Sequence, residues 1–301
     1  MADTDYVPPL EFGNRAFTGH AREMGRIVVI DSPREVAASL IPIDPARDIL
    51  VHAAYMARPV AVSLLRGGFR GFIGVDAGIG RNEAGIGGLA LAERLGVPAA
   101  AASVYSCEMC VGRSVWDEGV ISRVNGPAAA CGAEPGQSVT VAAEFFLAAA
   151  AGRPRDIEAE WPDAPVLLAE GNAAQGKIFG CWSMSLVQGG HPNDVFCVGT
   201  PVDTMMAIYV YRHDIRPAGV IGSDGGFGRG QMAIAGVEIL ERLGVPCAAV
   251  SHLSADLGDA ASIHRDGRIT RANAPARAAG IAPGMTAQAS AALLLESARS
   301  R

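Results

Sequence analysis

Two stretches place an aspartate before a glycine-rich turn: Ile73-Gly74-Val75-Asp76-Ala77-Gly78-Ile79-Gly80-Arg81 and Ile221-Gly222-Ser223-Asp224-Gly225-Gly226-Phe227-Gly228-Arg229. A carboxylate accepts hydrogen bonds or moves a proton, glycine lets the main chain approach a ligand, and a guanidinium presents a planar fork of donors. Asp76 and Asp224 are therefore candidate acid–base residues, and Arg81 and Arg229 candidate anchors for an anionic group. A structural use competes with each role. The carboxylates can cap turn amides, and each arginine can pair with its own aspartate or with Glu93 or Glu241 and order the turn. A dinucleotide fingerprint does not fit, because Glu83 and Gln231 stand where the third glycine of G-x-G-x-x-G belongs.

A second set of candidates lies in SVYSCEMCVG (103–112) and SHLSADLGDA (251–260). Cys107 and Cys110 have C-x-x-C spacing, but the chain has no second such pair, so neither zinc nor any other metal is expected. Cys107 is a candidate nucleophile or proton carrier, with a dithiol role and simple packing as the alternatives. His252 replaces Val104 of the first stretch and lies four residues before Asp256; an imidazole that titrates near neutrality is the usual general base. Ser103, Ser251, His52 and Thr200 are candidate substrate-binding residues on expected strand ends, with Asp203 nearby. His264 falls in an expected hairpin opposite Trp116, while His20, His191 and His213 receive no assignment.

The elements that must position these groups follow from a repeat. Residues 71–139 align without a gap to residues 219–287, with roughly 30 of about 69 positions identical. Weaker matches pair 48–68 with 194–214 and 25–32 with 176–183. The expected organisation is a tandem duplication, with α/β repeats at 1–151 and 166–301 and a proline-rich linker at 152–165. In the first repeat, apolar runs (ILVHAA, GFIGV, PAAAAS) alternate with helical stretches (MARPVAVSLLRGG, NEAGIGGLALAERLG), as βαβ units do. Gly96 and Gly244 read as helix stops, Asn125 and Asn273 as helix N-caps, and final helices begin near Ser138 and Thr286. SVWDEGVIS (114–122) and SIHRDGRIT (262–270) read as hairpins. The fold class expected is α/β: two Rossmann-like βαβ halves with parallel sheets, related by a pseudo-twofold axis. Loops at the carboxyl ends of their strands would build a site between them.

Composition narrows the function. The 301 residues are 50% hydrophobic and carry a net charge of −6 without a basic stripe, which argues against nucleic-acid binding. The apolar runs are too short or too charged to cross a bilayer, and the N-terminal residues lack a secretory pattern, so a cytoplasmic protein with no membrane partner is expected. Six cysteines, mostly in apolar segments, read as free thiols. The leading expectation is a metal-independent hydrolase of a small polar amide or carboxylic acid derivative, using no cofactor. Rival expectations are an isomerase or racemase passing protons between Cys107 and His252, and a non-catalytic small-molecule binding protein. The partner is a small polar or anionic substrate, with homo-oligomerisation left open.

Overall fold

Strands such as Ile49–Tyr55 (ILVHAAY) are buried at every position, as strands covered on both faces must be. The computed structural model describes residues 6–8, 15–33, 41–158, 161–170 and 176–298. Its first sheet is built from β1 (Ala16–Arg22), β2 (Gly25–Ile30), β3 (Ile49–Tyr55), β4 (Gly71–Val75), β5 (Ala99–Ala102) and β6 (Ile121–Val124), in that spatial order. Between and after these strands run α1 (Arg58–Gly67), α2 (Gly87–Arg94), α3 (Gly112–Glu118), α4 (Gly126–Cys131) and α5 (Val139–Phe146).

The second sheet takes β7 (Val166–Glu170), β8 (Lys177–Cys181), β9 (Val195–Pro201), β10 (Gly219–Ser223), β11 (Cys247–Val250) and β12 (Ile269–Ala272), again paired in sequence order. Its helices are α6 (Thr204–Arg212), α7 (Ala235–Arg242), α8 (Ala260–Asp266), α9 (Ala274–Ala278) and α10 (Ala287–Ala298). No helix among the described residues is long and apolar enough to cross a membrane.

Both sheets are mixed rather than wholly parallel. The inner strands β2 to β5 and β8 to β11 run parallel, whereas β1, β6, β7 and β12 pair antiparallel at the edges. The reason is local at β1, where only Glu23 and Met24 separate it from β2, a connection that antiparallel neighbours alone permit.

The two expected hairpins are instead helices followed by strands. α3 and β6 occupy 112–124, and α8 and β12 occupy 260–272, so Trp116 and His264 sit on helices. In each, a serine inside the helix organises the preceding loop: Ser114 Oγ accepts the Glu108 amide at 3.0 Å and donates to Glu118 at 2.6 Å. Ser262 does the same with Asp256 and Asp266, at 3.0 and 3.1 Å. The acidic-residue-plus-glycine signal marks a helix end, since Gly119 and Gly267 follow the last turn with their amides on Val115 and Ile263 carbonyls. A side chain on either glycine would strike that same carbonyl.

Asn125 and Asn273 cap their helices and also tether them to the sheet. Asn125 Oδ1 accepts both the Ala128 and Ala99 amides at 3.0 Å, while Asn273 Oδ1 accepts the Ala276 and Cys247 amides at 3.1 and 2.9 Å. The apolar core of the first sheet is completed from the other half of the chain, by Ala233 and Leu257.

Candidate functional site

Asp76 and Asp224 follow the last residues of β4 and β10, and both are buried. Asp76 Oδ1 accepts the amides of Gly78 (3.1 Å) and Val104 (2.9 Å). Asp224 Oδ1 accepts the amides of Gly226 (3.1 Å) and His252 (2.9 Å). These turn and loop amides, which would otherwise suit an anionic oxygen, are thus held by the protein's own carboxylates. Asp224 has two further partners: His252 Nδ1 at 2.8 Å, and the Thr270 hydroxyl, which donates to Oδ2 at 3.1 Å. The buried carboxylate fixes the orientation of the imidazole, and Val104 at the matched position offers no counterpart.

The two turns pack directly on one another. Gly78 and Gly226 adopt φ of +74° and +73°, and a methyl group on Gly226 would lie 3.0 Å from the Gly78 Cα. The Arg81 amide donates to the His252 carbonyl and the Arg229 amide to the Val104 carbonyl, both at 2.8 Å. Their side chains reach across in the same way. Arg81 Nη1 donates to Ser254 O at 2.8 Å and meets Asp266 at 3.0 Å; Arg229 Nη1 donates to Ser106 O at 3.1 Å and meets Glu118 at 2.9 Å. Each arginine joins its turn to the opposite loop and to the helix beyond it.

Gly226→Ala is expected to cost about 2–5 kcal/mol, from left-handed strain plus a main-chain collision. Gly96→Ala, at φ +69° with nothing within 4 Å, should cost only the strain, about 1–2 kcal/mol. Urea denaturation of the two variants checks this, and equal losses would show that close packing of the turns contributes nothing.

The remaining sequence candidates are dispersed. Cys107 is fully buried, its thiol donates to Ser103 O at 3.4 Å, and burial pushes its pKa up to about 12, so little nucleophilic thiolate forms near neutrality. Ser103 and Ser251 hydroxyls accept the amides of Tyr105 (3.3 Å) and Leu253 (3.2 Å) and order the loops after β5 and β11. His52 was expected near a strand end, but it is the fourth residue of β3 and fully buried. Neither ring nitrogen makes a hydrogen bond, and burial lowers its pKa to about 3, leaving it neutral. The bare Gly74 beside it on β4 makes room for the ring.

A cavity of about 380 Å³ lies where the carboxyl ends of β2 and β3 face those of β8 and β9. Thr200, the penultimate residue of β9, is 8% exposed, and its Oγ1 has no hydrogen-bond partner. Asp203 N-caps α6, accepting the Met206 amide at 2.8 Å. Burial pushes this carboxyl up to about 6, against the Met206 amide and the Cys110 thiol, which favour the ionised form. Ser183 and Ser185, whose hydroxyls are 2.8 Å apart, line the cavity with Tyr55 of β3 and one face of α6.

Of the sequence candidates, Thr200 and its neighbour Asp203 line this cavity; Asp76, Asp224, His252, Cys107, Arg81 and Arg229 do not. A larger, more polar groove of about 560 Å³ lies between Asn82–Glu93 and Asp256–Asp259. Three of its four carboxylates have partners: Asp256 receives the Asn82 amide group at 3.0 Å, Glu93 the Gly126 amide at 3.4 Å, and Asp259 the Ala261 and Ser262 amides of α8, with Glu83 as the fourth. No group of three or more His, Cys, Asp or Glu side chains among the described residues could hold a metal ion.

Sequence reasoning missed Ser183, Tyr55 and Arg212, which lie in the weakly matching segments, and Ser185, which lies just beyond one of them. The signal that marks the site is divergence: Thr200 and Asp203 stand opposite Ala54 and Ala57 when 194–214 is laid on 48–68. No protein family, curated protein or solved structure matches this chain.

Proposed function

We propose that the protein is a cytoplasmic enzyme that hydrolyses a small polar amide or related carboxylic acid derivative in the cavity between its two sheets, without a metal. One observation carries this reading: a buried, unpartnered hydroxyl (Thr200) and a buried carboxyl of raised pKa (Asp203) border the same small-molecule-sized cavity at strand carboxyl ends. The ionised Asp203 takes a proton from water as the water oxygen adds to the substrate carbonyl carbon, and Thr200 donates a hydrogen bond to the carbonyl oxygen. The intermediate then collapses with the C–N bond breaking, and Asp203 returns the proton to the leaving nitrogen. A group titrating near 6 is suited to both transfers near neutral pH. Six free cysteines agree with a reducing compartment. The isomerase alternative gains nothing from Cys107, whose thiol is sealed in the core.

The two halves, on the same reading, are copies of one ancestral unit related by a pseudo-twofold axis. Support comes from the gapless sequence match, the shared strand order and directions, and the paired bonds from Arg81 to His252 and from Arg229 to Val104. One copy then acquired Thr200 and Asp203, while the other has alanines there.

The reading is tested by incubating the purified protein with a mixture of small amides and esters and following substrate loss and acid formation, in parallel with Asp203→Asn. Hydrolysis by the wild type that persists at the same rate in Asp203→Asn would refute it.

A further inference from the structure

Two serine hydroxyls meet on the cavity wall, and their hydrogen bonds can be counted. Ser183 Oγ and Ser185 Oγ lie 2.8 Å apart, and Ser183 Oγ also accepts the Ser185 amide at 3.3 Å. If Ser185 donates between them, Ser183 fills both its acceptor sites and keeps its own O–H; if Ser183 donates, Ser185 keeps its O–H. Either way one hydroxyl hydrogen of the pair is left over among the described residues. Ser183 is buried, where a donor without an acceptor is costly and a ligand oxygen relieves the cost.

This spare donor has a neighbour of the same kind. Ser183 and Thr200 each come two residues after the last pair of the β8–β9 ladder, Cys181 and Val198, on adjacent parallel strands. Adjacent strands lie about 4.8 Å apart. The unpartnered Thr200 hydroxyl and the serine pair are therefore two neutral donors on adjacent strand ends, both lining the cavity, and Asp203 follows Thr200 by three residues. Val60, Met184 and Met206 add apolar wall.

From this pairing of donors we infer that the substrate is a cyclic imide carrying an apolar substituent. Thr200 donates to the carbonyl that water attacks, and the Ser183–Ser185 pair donates to the second carbonyl across the ring nitrogen. The inference rests on the hydrolytic reading above and adds the substrate's class. An imide presents two carbonyl oxygens on one edge of a flat ring, about one strand spacing apart, so one ring meets both donors; a simple amide offers only one oxygen. Water adds to the first carbonyl carbon as its proton passes to Asp203. The C–N bond then breaks, Asp203 returns the proton to nitrogen, and the product is an open-chain monoamide carboxylic acid. Charge developing on the leaving nitrogen is shared with the second carbonyl, where the serine hydroxyl stabilises it. The ring substituent lies on Val60, Met184 and Met206, in a cavity of about 380 Å³ that is larger than a bare ring fills.

The experiment is calorimetric titration of the Asp203→Asn protein, in which hydrolysis is suppressed. The probes are phenylsuccinimide and phenylglutarimide, each beside the phenyl lactam of the same ring size that lacks one carbonyl. The imides should bind about tenfold more tightly than the matched lactams. Adding Ser183→Ala together with Ser185→Ala should abolish that preference. Adding Ser185→Ala alone should keep part of it, because the Ser183 hydroxyl is still free to donate. Equal binding of imide and lactam overturns the inference and leaves the hydrolytic reading standing, as does a preference that survives loss of both hydroxyls. Failure of every probe to bind also overturns it. The hydrolytic reading falls separately, if Asp203→Asn turns substrates over at the wild-type rate.

Discussion

Replacing Asp203 by asparagine is expected to slow turnover by about 10²–10⁴-fold while making the protein more stable above pH 6. The opposite signs have one cause. Burial raises the carboxyl from its ordinary 3.8 to about 6 in the folded protein, so ionising it is harder folded than unfolded. Below about pH 4 the group is protonated in both states and contributes no penalty. As pH rises from about 4 to about 6 the unfolded chain loses the proton first, and stability falls; above that window the loss is complete. The shift corresponds to about 3 kcal/mol as an upper bound. Asparagine has no charge to bury and still accepts the Met206 amide through its oxygen. The variant should therefore match the wild type near pH 3 and exceed it by up to about 3 kcal/mol near pH 7.5. Urea denaturation of both proteins across this range measures the difference. A difference independent of pH would show that the carboxyl is not raised, and with it the case for Asp203 as the acid–base group would be lost.

Asp224→Ala is expected to destabilise the protein by about 3–5 kcal/mol, and Asp76→Ala by less. Removing the Asp224 carboxylate strands two main-chain amides and an imidazole N–H and takes one of two acceptors from the Thr270 hydroxyl, which keeps the Ala249 carbonyl at 3.3 Å, whereas Asp76 leaves two amides. Asp224→Asn should lose far less, because its oxygen still faces the amides and its amino group can donate to Thr270. Chemical denaturation of the three variants checks the ranking. Equal losses in the two alanine variants would mean that His252 and Thr270 draw nothing from Asp224.

The fold was legible where one physical signal dominated. β3, β4 and β5 are short apolar runs between glycine or proline punctuation, and Asn125 and Asn273 cap because a side-chain amide there satisfies both a helix amide and a strand amide. The helices α3 and α8 were not legible, since an acidic residue and glycine between apolar runs also describes a hairpin. What separates the two is the Ser114 and Ser262 hydroxyl network, a tertiary feature. His52 lies deeper than its polarity suggests, and only the bare Gly74 beside it explains how the ring fits.

The candidate site was legible in part. Repetition drew notice to Asp76 and Asp224, yet a residue kept in both copies of a motif most simply holds the scaffold, and these two hold loop amides. Thr200 and Asp203 were visible as polar residues at a strand end. Their weight came from facing alanines at matched positions, in segments where the repeat is weak. Ser183, Ser185 and Arg212 gave no signal, because the cavity gathers them from elements distant in sequence.

The interlocked glycine turns bear on how the chain can be divided. Each turn places a main-chain amide on a carbonyl from the other half, and Ala233 and Leu257 fill the first sheet's core from outside its own sequence. At the other end of the chain, Tyr6 lies under Arg242 on α7, with the guanidinium 5.0 Å from the ring centre. Cut within 152–165, the protein would yield two fragments, each exposing apolar surface and main-chain donors that the other normally covers. Such fragments are suited to complementation: poorly soluble apart, and recovering the native assembly when co-expressed.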